Sequence, residues 1–163
     1  MKKLVGLFFI ILIAFSVSAQ HVYKHSAYQI VFPDEPTENQ QTVETAVGDI
    51  IMYSVMYEGT EAVYMLAYSD YPEQHIKNSN STDLLNNAKG GFIGNLGLEV
   101  TFENEISIKG NPGIYFKGEG NSYYAVMKDY LVKNRLYQIG ILRVDKYANE
   151  KEIDGFINTF KLK

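Results

Sequence analysis

Hydrophobic and polar positions along this chain recur with two periods, two residues in strands and three to four in helices, and the elements divide where the period changes. Residues 41–47 and 50–57 are β-rich runs with Gly48-Asp49 between them, which predicts a tight hairpin. Glu58-Gly59-Thr60-Glu61 then turns the chain into a third strand over 62–69. Upstream, an extended segment over 27–32 stops at Pro33-Asp34-Glu35-Pro36, because proline lacks a ladder donor and holds its predecessor extended. Residues 20–28, with His21 and His25 and little periodicity, read as a short arm.

From Pro72 the period lengthens. Leu84, Leu85, Ala88, Phe92, Ile93 and Leu96 recur three and four apart and predict a helix over about 82–96, capped by Ser81 or Thr82 and stopped by Gly97. Gly90 and Gly91 lie inside it at a cost of about 1 kcal/mol each relative to alanine, which predicts a bend or a close approach to a sheet. Leu98, Val100, Phe102, Ile106 and Ile108 share one parity, and Glu99, Thr101, Glu103, Glu105 and Ser107 the other. The next strand is therefore read with one apolar face and one solvated acidic face. Residues 109–113 and 118–121 are turns, and 122–132 and 136–144 are long strands joined at Lys133-Asn134-Arg135. Four antiparallel strands in a row is the economical arrangement.

A last helix over about 149–161 has Asn149 as its cap and Glu152 three positions on, as in a capping box. Ile153, Phe156, Ile157 and Phe160 form its apolar stripe, with Lys161 and Lys163 at the negative end of its dipole. The class is α+β: a central antiparallel sheet of about seven or eight strands, with two amphipathic helices covering apolar faces.

The start of the chain follows neither period. Residues 4–17 are an apolar run behind Lys2 and Lys3, followed by Ser18-Ala19 before Gln20. That order is a cleaved secretory signal, and the run falls short of the roughly 20 residues a spanning helix needs. Residues 1–19 are read as the signal peptide and 20–163 as one domain, periplasmic or secreted, with no transmembrane segment after cleavage. The absence of cysteine excludes disulfides, thiolate nucleophiles and a lipid-bearing cysteine.

Removing Lys2 and Lys3 leaves 13 basic against 19 acidic residues, a net charge of −6. The basic residues are scattered, so counterion release has no stripe to act through and nucleic acid is not an expected partner. Thirteen tyrosines suit sheets with one wet face and also suit interfaces. Tyr57, Tyr64, Tyr68, Tyr71, Tyr123, Tyr124 and Tyr130 form one groove only if the fold brings their strands together.

Tyr28-Gln29-Ile30-Val31-Phe32-Pro33-Asp34-Glu35-Pro36 resembles the opening of PsbP-like and Mog-like domains: a strand, Phe-Pro, an acid or glycine, and x-Pro. Gly113-Ile114-Tyr115, Tyr124-Ala125-Val126-Met127-Lys128, Asn134-Arg135-Leu136-Tyr137 and Phe156-Ile157-Asn158-Thr159-Phe160 resemble that superfamily's end, with Thr159 in place of a serine. The resemblance spans most of residues 27–162. It implies an α/β/α sandwich around an antiparallel sheet with a C-terminal helix, and a noncatalytic accessory role. It names no ligand, since fold and function separate easily.

Candidate chemistry is sparse. His21 and His25, four apart, and His75 near Asp70 and Glu73 are the metal candidates, and solvated histidines are the preferred reading. Glu103 and Glu105 lack the cleft of a glycosidase pair. Asp145, Glu150, Glu152 and Asp154 lack the spacing of a calcium loop. Gly90-Gly91-Phe92-Ile93-Gly94 has neither phosphate-binding pattern, and no Gly-x-Ser-x-Gly elbow is present. No catalytic residue, metal or cofactor is assigned. The expected function is noncatalytic binding of an envelope protein or a small ligand, against a hydrolase or other enzyme with a spatially assembled site, or an envelope assembly or structural component. Tyr123, Met127, Asn134 and Arg135 are the candidate partner-binding residues, because two long strands are expected to bring them to a common sheet edge. Mass spectrometry of the processed protein is expected to find its N-terminus at Gln20; recovery of the intact 163-residue chain from the cytoplasm would contradict the signal reading.

Overall fold

The computed structural model describes residues 20–45 and 48–163. The signal expected over 1–19 lies outside them. Among the described residues, ten strands and three α-helices follow in order: β1 (His21–Lys24), β2 (Tyr28–Phe32), β3 (Thr37–Thr45), β4 (Gly48–Glu58), β5 (Ala62–Asp70), α1 (Glu73–Asn78), α2 (Ser81–Leu96), β6 (Glu99–Ile108), β7 (Asn111–Glu119), β8 (Tyr124–Val132), β9 (Arg135–Arg143), α3 (Glu150–Gly155) and β10 (Lys161–Leu162). Seven strands form one antiparallel sheet in the order β3-β4-β5-β9-β8-β7-β6, and β1-β2-β10 form a second, smaller sheet.

The strands pair largely as the periodicity predicts, with β6 to β9 as a four-strand meander. Gly48 and Asp49, expected as a turn, are already ladder positions opposite Thr45 and Glu44. β8 and β9 sit in the middle of the sheet and are apolar on both faces, as strands covered on both sides must be. β3 and β6 are the edges. β3 reads Thr-Glu-Asn-Gln-Gln-Thr-Val-Glu-Thr, a polar edge that discourages further pairing.

Alternation along β8 and β9 separates two cores. Val126, Tyr130, Tyr137, Ile139 and Ile141 pack with Tyr28, Ile30 and Phe32 of β2 and with Phe156, Ile157 and Phe160. Met127, Leu131 and Leu136 pack on the opposite face with Phe116, Leu84 and Leu85 beneath α2. Helices thus flank both faces, as the α/β/α expectation requires. The small sheet, built partly from the expected arm, makes up much of one layer.

Two expectations are corrected. The terminal helix ends at Gly155; Phe156, Ile157 and Phe160 reach the core through a 3-10 turn over Ile157–Thr159, and Lys161 enters β10 instead of a helix end. Thr159 fixes this turn, its Oγ1 donating to Phe156 O at 2.6 Å and accepting from Val31 N at 2.9 Å. The second correction is in β6, where the register with β7 shifts between Val100 and Phe102. A bulge reverses side-chain parity, so Leu98 lies on the α2 side while Ile106 and Ile108 pack on the other core. Val100 and Phe102 are 42% and 47% exposed, so the continuous apolar face is absent. Glu103, on the row read as solvated, instead accepts from Lys89 of α2.

Of the local signals at the helix ends, the capping box and the Gly97 stop hold. Asn149 Oδ1 accepts from Glu152 N at 3.1 Å and Asn149 N donates to Glu152 Oε2 at 2.9 Å, a complete capping box. α2 is capped by Asn80, one residue before the expected Ser81, and its C-cap Gly97 is left-handed at φ 61°. Gly90 and Gly91 make no close approach, since a Cβ at either would meet nothing within 4 Å. Gly91→Ala is expected to raise the unfolding free energy by about 0.5–1 kcal/mol, while Gly97→Ala lowers it by about 1–2 kcal/mol. Urea denaturation of the two variants checks both signs.

Candidate functional site

β9 begins and ends with an arginine, and each organises one end of the sheet. Arg135 stands directly opposite Asp70 of β5. Its Nε and Nη2 donate to Asp70 Oδ1 and Oδ2, both at 2.6 Å, the two-pronged geometry that suits guanidinium to carboxylate. Asp70 first, and Tyr137 after it, hold the guanidinium pKa above its already high value. The guanidinium carbon lies 4.6 Å from the Tyr68 ring centroid and 6.0 Å from that of Tyr137, within cation–π range.

Aromatic side chains continue from this pair across β5 to β4 and onto the small sheet. Tyr53 stacks on Tyr68 at 5.0 Å and 17°. His25 lies 5.7 Å from Tyr68 and stacks on Tyr28 at 4.8 Å. Tyr28 is fully buried, and its hydroxyl finds no hydrogen-bond partner. Burial first, then the neighbouring Tyr23, pushes its pKa up. Tyr23 donates to Glu38 Oε1 of β3 at 2.9 Å; burial and then that carboxylate push its pKa up to about 12. Tyr53, Tyr68, His25 and Arg135 are each part-exposed, so the cluster forms a surface above a buried floor.

The other end is acidic. Arg143 is 6% exposed and donates to Glu61 Oε2 at 2.8 Å, to Asp145 Oδ1 at 3.1 Å and to Glu152 Oε1. Arg143 holds the Asp145 carboxyl below its usual range. Two carboxylates weighed for a calcium loop are thus committed to an arginine, while Asp154 accepts from Asn158 at 2.6 Å. Glu61, Tyr57, Tyr64 and Arg143 border a surface hollow of about 300 Å³, and a second of about 380 Å³ lies by Glu99, Glu119 and Tyr124. Among the described residues no three His, Cys, Asp or Glu are grouped to hold a metal ion. His75 instead stacks on Tyr71 and lies 3.2 Å from Ser79 Oγ.

The four candidate partner-binding residues do not converge. Tyr123, 36% exposed, precedes β8, and Asn134 and Arg135 follow it, so nine residues or about 30 Å of strand separate them. Met127 is 0% exposed and faces the opposite side of the sheet from Arg135. Because β8 and β9 are interior strands, they offer no common edge. Asn134 and Arg135 do act together: Asn134 Nδ2 donates to Tyr71 O at 3.0 Å, anchoring the turn beside the Arg135–Asp70 pair. Tyr57, Tyr64, Tyr68, Tyr124 and Tyr130 share a sheet face, while Tyr71 packs on the other core. Sequence reading left Tyr53 unnamed and weighed His25 only as a metal ligand; strand register brings Tyr53, and packing of the small sheet brings His25, to the Arg135 end.

A solution structure of cyanobacterial PsbP (CyanoP) from Synechocystis sp. PCC 6803 superposes with a TM-score of 0.61, covering 98% of this chain and 99% of that one at 10% identity. The fold is PsbP-like. No family model and no curated protein matches the sequence. At this identity the PsbP likeness carries the architecture and transfers no site.

Asp129 of β8 is a further ionisable group with unusual surroundings. It is 0% exposed; Gln138 Nε2 donates to its Oδ2 at 3.1 Å and its Oδ1 has no partner. Burial pushes its pKa up to about 7, against the lesser opposing effects of Gln138 and Lys89. Since the folded pKa lies above the unfolded one, the native state holds the proton more tightly. This contribution to stability is complete below about pH 4 and is lost as pH rises to about 7. Asp129→Asn is expected to stabilise the fold relative to the parent more at pH 8 than at pH 5, read from urea unfolding at both.

Proposed function

We propose that the protein is an exported, noncatalytic binding or accessory domain whose recognition surface is the aromatic end of the sheet around Asn134 and Arg135. The observation that carries this reading is the half-exposed column of Tyr53, Tyr68 and Arg135, with the guanidinium already matched to Asp70. Flat, rigid side chains with a neutralised charge give contact area at low entropic cost, the composition favoured at interfaces. The partner is an envelope protein or a small ligand that presents an apolar or aromatic face to the tyrosines and an acceptor to the remaining guanidinium donors. Export rests on the basic, apolar and small-residue order of residues 1–19.

An enzyme assembled in space is the weaker reading. The hollows are lined by tyrosines, carboxylates, Thr60, Asn121 and an arginine committed to salt bridges, and no histidine lines either of them to serve as a base to the Thr60 hydroxyl.

Immobilised parent protein and three variants, exposed to a native envelope extract and analysed by mass spectrometry, test the surface. Tyr53→Ala and Arg135→Gln are expected to lose the components retained by the parent while keeping its far-UV spectrum and cooperative melting. Tyr123→Ala, at the far end of β8, is expected to retain them. Equal retention by all three variants removes the surface, and turnover of a substrate by partner-free protein removes the binding-domain reading.

A further inference from the structure

All four methionines of the described residues, Met52, Met56, Met65 and Met127, lie on the same face of the seven-stranded sheet, the face that also carries α2. Three occupy a single cross-strand row: Met56 is opposite Met65, Met65 opposite Gly140, and Gly140 opposite Met127. Gly140 closes the row. A Cβ there would lie 1.9 Å from Met127 Sδ and 2.8 Å from its Cε, so the Met127 thioether lies across the glycine toward Met65. Met65 in turn packs against the cluster that contains Met127. Directly opposed side chains have Cβ atoms about 4.5–5.5 Å apart, and methionine has three rotatable bonds with which to converge.

The row is closed at one end and open at the other, since Met127 is fully buried while Met56 and Met65 are half-buried. Thioether sulfur carries no proton or charge and is a soft donor that selects Cu(I) over hard cations. Two positions along β8 from Met127, and on the same face, Asp129 Oδ1 is buried without a hydrogen-bond partner. The nearby Lys89 ammonium is paired with Glu103, which leaves Asp129 without a salt-bridge partner.

We infer that the row formed by Met56, Met65 and Met127 is a binding site for one soft monovalent cation, Cu(I), for which Ag(I) is a redox-inert probe. Met52 provides an internal control, being about 13 Å along β4 from Met56 on the same sheet face. Titration of the purified protein with Ag(I), and with Cu(I) under reducing, oxygen-free conditions against a chromophoric Cu(I) chelator, reads stoichiometry and competition. One equivalent is expected to bind and to shift the ε-methyl resonances of Met56, Met65 and Met127, leaving that of Met52 in place. Met65→Leu conserves volume and is expected to melt as the parent does while losing competition with the chelator; Met52→Leu is expected to retain it. Absence of competition by the parent, competition unchanged in Met65→Leu, or a shift at Met52 without the other three overturns the site and leaves the row as adaptable packing.

Discussion

The register between β8 and β9 is the constraint on which both cores depend. Each strand contributes apolar side chains to both faces of the sheet, so a slip of one residue would exchange the side chains meant for α2 with those meant for Phe156 and Phe160. Gly140 pins this register sterically, because Met127 occupies the space that a Cβ opposite it would need. Arg135 pins the neighbouring β9–β5 ladder electrostatically through its two bonds to Asp70. Displacing β9 against β8 would force an overlap with Met127, and displacing it against β5 would break a two-pronged ion pair at the sheet surface; the first costs more than the second.

That register also gives the molecule two unlike ends. Arg135 and Arg143 share a parity on β9, so both close the core that holds the small sheet. One faces a single carboxylate within a set of aromatic rings, and the other faces three carboxylates. The charges cancel at the first end; at the second, Arg143 and the Lys146 ammonium paired with Asp145 leave an excess of one negative charge, beyond which Glu99 and Glu119 stand opposite each other across β6 and β7. A partner with acidic groups is therefore repelled from one end and tolerated at the other. This asymmetry, with the exposed rings, favours the Arg135 end as the proposed recognition surface.

Features set by neighbouring residues were legible in the sequence. The capping box at Asn149 and Glu152, the stop at Gly97, the stripe from Leu84 to Leu96 and the meander from β6 to β9 each depend on spacing within a short window. What escaped depends on distant partners. β10 consists of two residues that extend only because β2 is beside them, and the terminal helix stops early because Phe156 and Phe160 must reach the core on either side of that pairing. The bulge in β6 carries no glycine or proline to announce it, yet it moves Leu98 and Ile108 to opposite faces. The site was legible to the same degree: Asn134 and Arg135 stand at a turn that pattern could find, whereas Tyr53 and His25 are brought to them by three ladders and a second sheet.

The two proposed sites lie on opposite faces of the same strands, which bears on how they can influence one another. Arg135 and Gly140 belong to one rigid ladder, and an interior strand buried on both sides transmits displacement poorly unless a neighbouring element has two packings to choose between. Methionine is the adaptable component on one face, while the aromatic column on the other is braced by Asp70 and by the turn anchored at Asn134. Occupation of the methionine row would thus be absorbed by side-chain rotation around Met56 and Met65, leaving Arg135 and Tyr68 in place. The two proposed sites are therefore expected to be occupied independently, since the ladder they share has no need to move for either.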